Sequence, residues 1–530
     1  MGQMDDTEPG SALRVHEMRI AVEFTTGDVP AGLAGVLDDA PKGWQVESLD
    51  AGDERTWLIS GFVGECVGTP EYARRAHSLV QRILGTGLVD RAEADLPVSA
   101  FVDLRSADPG TPEFPPGSDV PRWARDAIRC DEAWAIEPTR GHGILIGHPD
   151  TGYTLHPNLG ADALDLNSDW DVISDDDDAL DPMVPPDDSP WPLPFPGHGT
   201  TTASVIAGRG DEADGIVGVV PRAKVVPFRA VESVVQLFDS DVARAVERAR
   251  LTGCHLVSIS VGGKGFFGLE AAIQRAVDAG MIVIAAAGNN VGIVVAPASY
   301  PNCLAVAATG PDDQPWPESS RGRAVDVGAP GWGVHVAGYV FVDSQPQARV
   351  FRSSGTSYAA THLAGAAALW LAHHDADSLR ARYGSRVQEV FLRLVRAGGS
   401  RVPDGWDHAA FGAGIVDAAA LLAAPLPALD QLMPLSAGPV AQSPSERLGA
   451  LVNRDAAEIE TALAGWLGIG GTALQGIAKR FEGELAFHLT DTPEFRNALV
   501  DGCPTAPDLA GIGSCSPEFA SIFLRDCQGT

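Results

Sequence analysis

Through the middle of the chain, short apolar runs alternate with stretches in which apolar residues recur every three or four positions. The runs Gly143–Gly147, His255–Val261, Met281–Ala287 and Leu304–Ala308 are brief and rich in β-branched residues, as buried strands are. Between them, Asp241–Leu251 and Leu269–Ala279 carry the helical period. Short connections in this alternation predict an α/β fold, a doubly wound and mostly parallel sheet. Upstream, strand-like Met18–Phe24, Thr56–Phe62 and Pro97–Leu104 surround an amphipathic Glu71–Leu84, the pattern of a small α+β unit. Downstream, helical periodicity returns around Arg447–Leu467 and Gly471–Phe487. Proline-rich stretches at Asp108–Ser118 and from Ala424 to Ser445 have no core pattern and read as linkers. The expected division is a tail (1–17), an α+β unit (18–105), a linker (106–122), the α/β domain (123–424), a second linker (425–445) and a small helical module (446–530).

Three motifs sit at the turns of the predicted sheet. Asp150-Thr151-Gly152 follows the first central run, which puts a carboxylate at the carboxyl end of a strand, where open α/β sheets collect ligands. Gly197-His198-Gly199-Thr200 opens a run of small residues suited to a buried helix. Ser354-Gly355-Thr356-Ser357 opens an alanine-rich interior helix whose first-turn amides suit developing negative charge. A hydroxyl is a weak nucleophile until an imidazole takes its proton, and a carboxylate then fixes and stabilises that imidazole. Asn289 ends the strand Met281–Ala287-Gly288 and is the expected oxyanion donor. Taken singly, Asp150 also fits a turn aspartate and Ser357 a helix N-cap; together the three fit acyl transfer. His148, Asp150 and His156 match no zinc spacing, and His362 reads as a structural histidine on the nucleophile's helix.

In order and separation, Asp150-Thr-Gly, Gly-His198-Gly-Thr, Ala-Ala-Gly-Asn289 and Gly-Thr-Ser357 resemble the subtilisin-like (subtilase) serine proteases over roughly Trp123 to Leu422. Asp131–Trp134, Gly215–Lys224, Val257–Gly263 and Phe411–Asp417 also resemble family segments. The resemblance implies a serine endopeptidase with an Asp150–His198–Ser357 triad and an acyl-enzyme intermediate. Ser260, Val261 and Gly262 are then expected to pair with an extended substrate as an added strand. Ala286, Ala287 and Gly288 are expected to wall the pocket for the residue before the cut, with Gly292–Val295 as its floor and a preference for apolar or uncharged residues there. By position, the α+β unit is similar to the family's propeptides, which chaperone folding and inhibit the enzyme. Two departures stand out. His148-Pro149 precedes the acid where two apolar residues are usual, which predicts a local irregularity, and Tyr358-Ala359-Ala360-Thr361 lacks the family's early helix proline.

Composition narrows the partners. The 530 residues are 45% hydrophobic, enough for two or three domains, and carry a net charge of −32. With Lys42, Lys224, Lys264 and Lys479 as the only lysines, a nucleic-acid partner is disfavoured; proteins or peptides are the substrates the resemblance implies. No apolar stretch reaches the roughly 20 residues of a membrane span, the acidic N-terminus does not read as a secretory signal, and seven cysteines make no disulfide framework, so the expected location is cytoplasmic. Cys503, Cys515 and Cys527 recur every twelve residues, but no Cys-x-x-Cys pair or nearby histidine accompanies them, so no metal ligand is assigned. No cofactor is expected; the run Asp175–Asp178 leaves a structural calcium open, with a solvated acidic loop preferred. The helical module is expected either to serve a regulatory or assembly partner or to pack on the α/β domain. Two other functions stay open: a non-catalytic peptide-binding or assembly protein on the same fold, and an acyl-enzyme transpeptidase.

Overall fold

A computed structural model describes residues 16–523 apart from 27, 38–42, 50–54, 98–113, 187, 190–194, 212–215, 233–237, 433–442 and 502–513. Near the N-terminus, β1 (Glu17–Phe24), β2 (Trp44–Ser48), β3 (Thr56–Phe62) and β4 (Val89–Asp95) pair antiparallel in the order β2-β3-β1-β4, with α1 (Pro70–Gly85) following β3. The α1 helix begins where the theory of capping puts it: Thr69 Oγ1 accepts from the Tyr72 amide at 3.3 Å, and Pro70 takes the first helical position. The strands β2 and β4 went unread in the sequence because both are edges; Trp-Gln-Val-Glu-Ser and Val-Asp-Arg-Ala-Glu-Ala-Asp present charge where an interior strand presents an apolar run. Most of the strand expected at Pro97–Leu104 lies outside the described residues, as do much of both linkers and Pro190–Pro194.

The central runs form a nine-stranded sheet. In chain order its strands and the helices around them are β5 (Leu145–Asp150), β6 (Trp170–Asp171), α2 (His198–Ala207), β7 (Lys224–Arg229), α3 (Asp239–Leu251), β8 (Leu256–Ile259), α4 (Phe267–Asp278), β9 (Ile282–Ala286), β10 (Leu304–Thr309) and β11 (Val325–Pro330). A separate antiparallel hairpin, β12 (Val334–Val342) and β13 (Gln345–Ser353), leads into α5 (Thr356–His374), and β14 (Ser400–Arg401) and β15 (Ile415–Val416) complete the sheet. The order β14-β15-β11-β10-β9-β8-β5-β7-β6 is parallel except at the β14–β15 edge. Alternate residues feed two cores, as burial on both faces requires: Ile282, Ile284 and Ala286 join the cluster around α5, while Val283 and Ala285 join the one around α3 and α4. The chain leaves β5 toward β7 and returns to β8 on its other side, so β5 marks the switch point of the sheet and Asp150 ends it. The irregularity expected at Pro149 is absent on the β7 side, where pairing runs unbroken from Leu145 to Asp150. On the other side the β8 ladder stops at Gly147, so proline's missing N–H interrupts nothing.

Beyond the second linker the described residues form six helices: α6 (Pro444–Val452), α7 (Ala456–Leu467), α8 (Gly471–Arg480), α9 (Glu482–Asp491), α10 (Pro493–Val500) and α11 (Pro517–Phe523). Their core holds Leu448, Leu463, Phe481, Leu485, Phe495 and Phe519. The group packs on both other units: Arg447 pairs with Glu270 of α4 at 3.5 Å, and Phe487 meets the His77 ring of α1 edge-on at 5.1 Å. Among the described residues, no helix is long and apolar enough to cross a membrane.

The N-terminal sheet docks on α3 and α4 through their amino ends. The Asp95 carboxylate accepts the Asp239 and Ser240 amides at 2.9 and 3.1 Å, Glu93 accepts the Phe267 amide at 3.4 Å, and the Lys264 ammonium meets Glu93 at 3.0 Å. One unit therefore supplies the anionic caps that the other unit's helix dipoles favour. Arg19 completes the contact with Asp241 at 2.8 Å. Burial, then the Asp95 and Glu93 charges, push the Asp239 carboxyl up to about 8, with Lys264 opposing. A raised carboxyl takes up a proton on docking, so the contact is strongest below the ordinary carboxylate range, roughly 4, and weakens as pH rises through about 8. Thermal unfolding followed across that range is expected to show a stability loss in the parent chain that Asp239→Asn flattens; parallel curves would contradict it.

Candidate active site

Three of the residues singled out by motif sit at the ends or starts of regular elements. Asp150 closes β5, His198 opens α2 and Ser357 is the second residue of α5. Two close approaches make this possible. A Cβ on Gly199 would lie 2.1 Å from the Gly152 carbonyl oxygen, so only glycine lets the His198 turn close against the Asp150 turn. Gly152 itself has φ of +100° and faces the Ala179 carbonyl, where a Cβ would fall at 2.3 Å.

The acid and base are joined: His198 Nδ1 donates to Asp150 Oδ1 at 2.6 Å, with both side chains buried. The same oxygen accepts the Thr151 amide at 2.7 Å, and Thr202 Oγ1 lies 3.3 Å from Oδ2. Burial pushes the Asp150 carboxyl up, but the His198 ring, the His148 ring and the Thr151 amide outweigh it and hold the group below the usual carboxylate range. His148 sits behind the carboxylate, with Nδ1 donating to the Ser258 carbonyl at 3.2 Å and Nε2 accepting from Thr202 Oγ1 at 2.8 Å. Burial lowers its pKa, with the Asp150 charge and the Ser258 carbonyl opposing. The fully buried insertion residue Asp181 steadies the turn from the other side, its Oδ2 accepting the Gly197 amide at 2.7 Å. Phe195 packs on the His198 ring, centroids 5.1 Å apart.

The nucleophile is turned elsewhere. Ser357 Oγ donates its single proton to the Ser260 carbonyl at 2.9 Å, and Ser260 Oγ donates in return to the Ser357 carbonyl at 3.2 Å. The structure thus joins Ser357 to the β8 extension and His198 to Asp150. Asn289 is held by its oxygen: Oδ1 accepts from the Thr356 amide at 2.9 Å and from Thr356 Oγ1 at 2.8 Å. A Cβ placed on Gly355 would lie 3.7 Å from both Asn289 Nδ2 and the Ser357 amide, so these two donors border one small space at the head of α5.

The expected substrate residues fall around that space. Ser260, Val261 and Gly262 follow β8, the first two buried and Gly262 half-buried. Ala286 and Ala287 turn their methyl groups into the two opposite cores, whereas Gly288 is half-buried and donates to Thr356 Oγ1 at 3.0 Å. Between the two glycines stands Val295: a Cβ on Gly262 would meet its Cγ2 at 2.5 Å, and one on Gly288 its Cγ1 at 3.0 Å. Elsewhere, His362 donates Nδ1 to the Tyr358 carbonyl at 2.7 Å and is held neutral by burial at about 4. Among the described residues, His148, Asp150 and His156 do not converge as ligands, and Asp175–Asp178 are exposed on their turn. The supporting residues His148, Thr151, Asp181, Thr202 and Thr356 went unassigned from sequence; all but Asp181 lie within four residues of a motif residue, which is the one signal that could have found them.

Residues 141–410 match the model of the Subtilase family of peptidases. The chain is 31% identical over 267 residues to thermitase of Thermoactinomyces vulgaris, covering 50% of this chain and 87% of thermitase. It is 33% identical over 244 residues to a thermophilic serine proteinase of Bacillus sp. (strain AK1), covering 45% of this chain and 54% of that one. The crystal structure of fervidolysin from Fervidobacterium pennivorans, a keratinolytic enzyme related to subtilisin, superposes with a TM-score of 0.55 at 21% identity. That superposition covers 80% of this chain and 63% of fervidolysin, and speaks to the fold alone.

Proposed function

The chain belongs to the subtilase family of serine proteases, and from that premise we propose that it hydrolyses peptide bonds with Ser357 as nucleophile, His198 as base and Asp150 as the group that holds His198. The observation that carries the reading is the buried 2.6 Å bond between His198 Nδ1 and Asp150 Oδ1, which fixes the tautomer with Nε2 free to accept a proton. As Ser357 Oγ attacks the peptide carbonyl, its proton passes to His198 Nε2. The carbonyl oxygen takes up the negative charge, facing Asn289 Nδ2 and the Ser357 amide. His198 then gives the proton to the leaving amine, the C–N bond breaks, and an ester joins the acyl half to Ser357. Water, deprotonated by His198, cleaves the ester and restores the hydroxyl.

Protein and peptide substrates are the proposed class, lying beside Ser260–Gly262. The two Cγ methyl groups of Val295 between Gly262 and Gly288 favour small uncharged side chains before the cut. Val295→Ala is expected to raise kcat/KM for a peptide with leucine at that position by roughly 10-fold to 200-fold relative to one with alanine. Unchanged discrimination in a two-peptide assay would place the pocket elsewhere.

The N-terminal unit is proposed as a propeptide-like inhibitor. It caps α3 and α4, and its residue Leu96 shares an apolar cluster with Val295, at the proposed pocket. The experiment that tests the function is intact-mass analysis of the parent chain beside Ser357→Ala, together with product analysis on a denatured protein substrate. Substrate fragments, and a self-processed chain, are expected from the parent alone; equal products from both would overturn the assignment of Ser357, and no products from either would overturn the activity.

A further inference from the structure

We propose that His77, Glu484, His488 and Cys515 form a binding site for a zinc-type divalent cation that latches the N-terminal unit to the C-terminal helices. This does not rest on the catalytic reading. Glu484 and His488 stand one turn apart on one face of α9, Cys515 lies just ahead of α11, and His77 comes from α1 of the N-terminal sheet. All four are buried. Glu484 Oε1 is 3.8 Å from His77 Nδ1 and 3.9 Å from His488 Nε2, and one ligand atom from each of these three residues lies within 4.8 Å of the others. The Cys515 Sγ is 3.4 Å from the same His488 Nε2. Ligands bound tetrahedrally at about 2.0 to 2.3 Å stand roughly 3.3 to 3.8 Å apart, so the separations of Glu484 Oε1 from His77 Nδ1 and His488 Nε2, and of Cys515 Sγ from His488 Nε2, are near those such a cation needs.

The donor set is one sulfur, two imidazole nitrogens and one carboxylate oxygen, which suits zinc and excludes calcium or magnesium, whose ligands are oxygens. A thiolate and a carboxylate together neutralise a divalent cation, so its charge can be taken out of water at this depth. Two of the ligands are also held from behind: His488 Nδ1 faces Thr492 Oγ1 at 3.4 Å, and Glu484 accepts from the Ser516 amide and hydroxyl at 2.6 and 2.8 Å. Phe487, Phe495 and Phe519 surround the His488 ring, with centroids 5.1 to 5.9 Å away.

With its proton on Nε2, the His77 Nδ1 lone pair faces the Ser514 carbonyl and the Glu484 carboxylate, two oxygens that offer it no proton, and a cation bound at Nδ1 relieves that opposition. Binding converts the Cys515 thiol to a thiolate and releases one proton to solvent. Sequence alone could not find this site, because its four ligands come from three separate segments with no motif spacing.

The test uses the full chain carrying Ser357→Ala, to prevent self-cleavage, stripped with a chelator and titrated with Co²⁺. One equivalent is expected to give a thiolate-to-cobalt charge-transfer band and d–d bands of tetrahedral intensity, both abolished by one equivalent of Zn²⁺. Cys515→Ser is expected to lose the charge-transfer band, and His77→Ala to weaken cobalt binding by at least about tenfold while far-ultraviolet circular dichroism stays unchanged. Absence of any cobalt spectrum at one equivalent, or a charge-transfer band that survives Cys515→Ser, would overturn the proposal. Should His77→Ala fail to fold, the Cys515→Ser spectrum decides by itself.

Discussion

His198→Ala is expected to lower kcat on peptide substrates by on the order of 10⁶ and to leave KM nearly unchanged. The Ser357 hydroxyl already has an acceptor in the Ser260 carbonyl, 2.9 Å away, but a backbone carbonyl can receive a hydrogen bond and not a proton. Only an imidazole turns that hydroxyl into an alkoxide equivalent at neutral pH. What survives in the variant is the contribution of Asn289 Nδ2 and the Ser357 amide, which supply about 10³ to 10⁴ over the uncatalysed rate without any base. The loss belongs in kcat because His198 acts on a proton in flight and not on the substrate's ground state. A fall in kcat of less than about 10³ would show that another group serves as base.

The second large effect is at Asp150. Asp150→Ala is expected to cost about 10⁴ in kcat, since the imidazole loses both its orientation and the charge that stabilises it when protonated. Asp150→Asn is expected to cost less, for a reason particular to this chain. The oxygen that holds His198 also accepts the Thr151 amide at 2.7 Å, so a carboxamide must put its oxygen there and its NH₂ toward Thr202 and His148. His198 therefore keeps its tautomer and loses only the negative partner. An asparagine variant as inactive as the alanine one would contradict this account of the Thr151 contact.

Motif residues were legible because each needs a specific backbone setting that the sequence displays. Glycines on either side of His198 and after Asp150 mark where two turns approach too closely for a side chain, and the small residues after Ser357 mark a helix buried along most of its length. The parallel sheet was legible for a similar reason, since strands buried on both faces must be apolar throughout. Edge strands β2 and β4 carry charge and gave no such run. What sequence could not convey was the meeting of distant segments. Nothing in the sequence marks Glu93 and Asp95 until β4 is seen capping α3 and α4, and Cys515 read as isolated until α9 brings His488 beside it. Val295 fell inside the segment expected to floor the pocket, but its approach to Gly262 and Gly288 depends on the fold of the 286–296 turn.

The most direct test of the catalytic assignment is covalent labelling with a fluorophosphonate, which phosphonylates only a serine oxygen activated by a neighbouring base. Peptide mapping by mass spectrometry of the labelled parent chain is predicted to find one adduct, on Ser357, formed at a rate that collapses in His198→Ala. An adduct on a different serine, or none on a chain freed of its N-terminal unit, would contradict it.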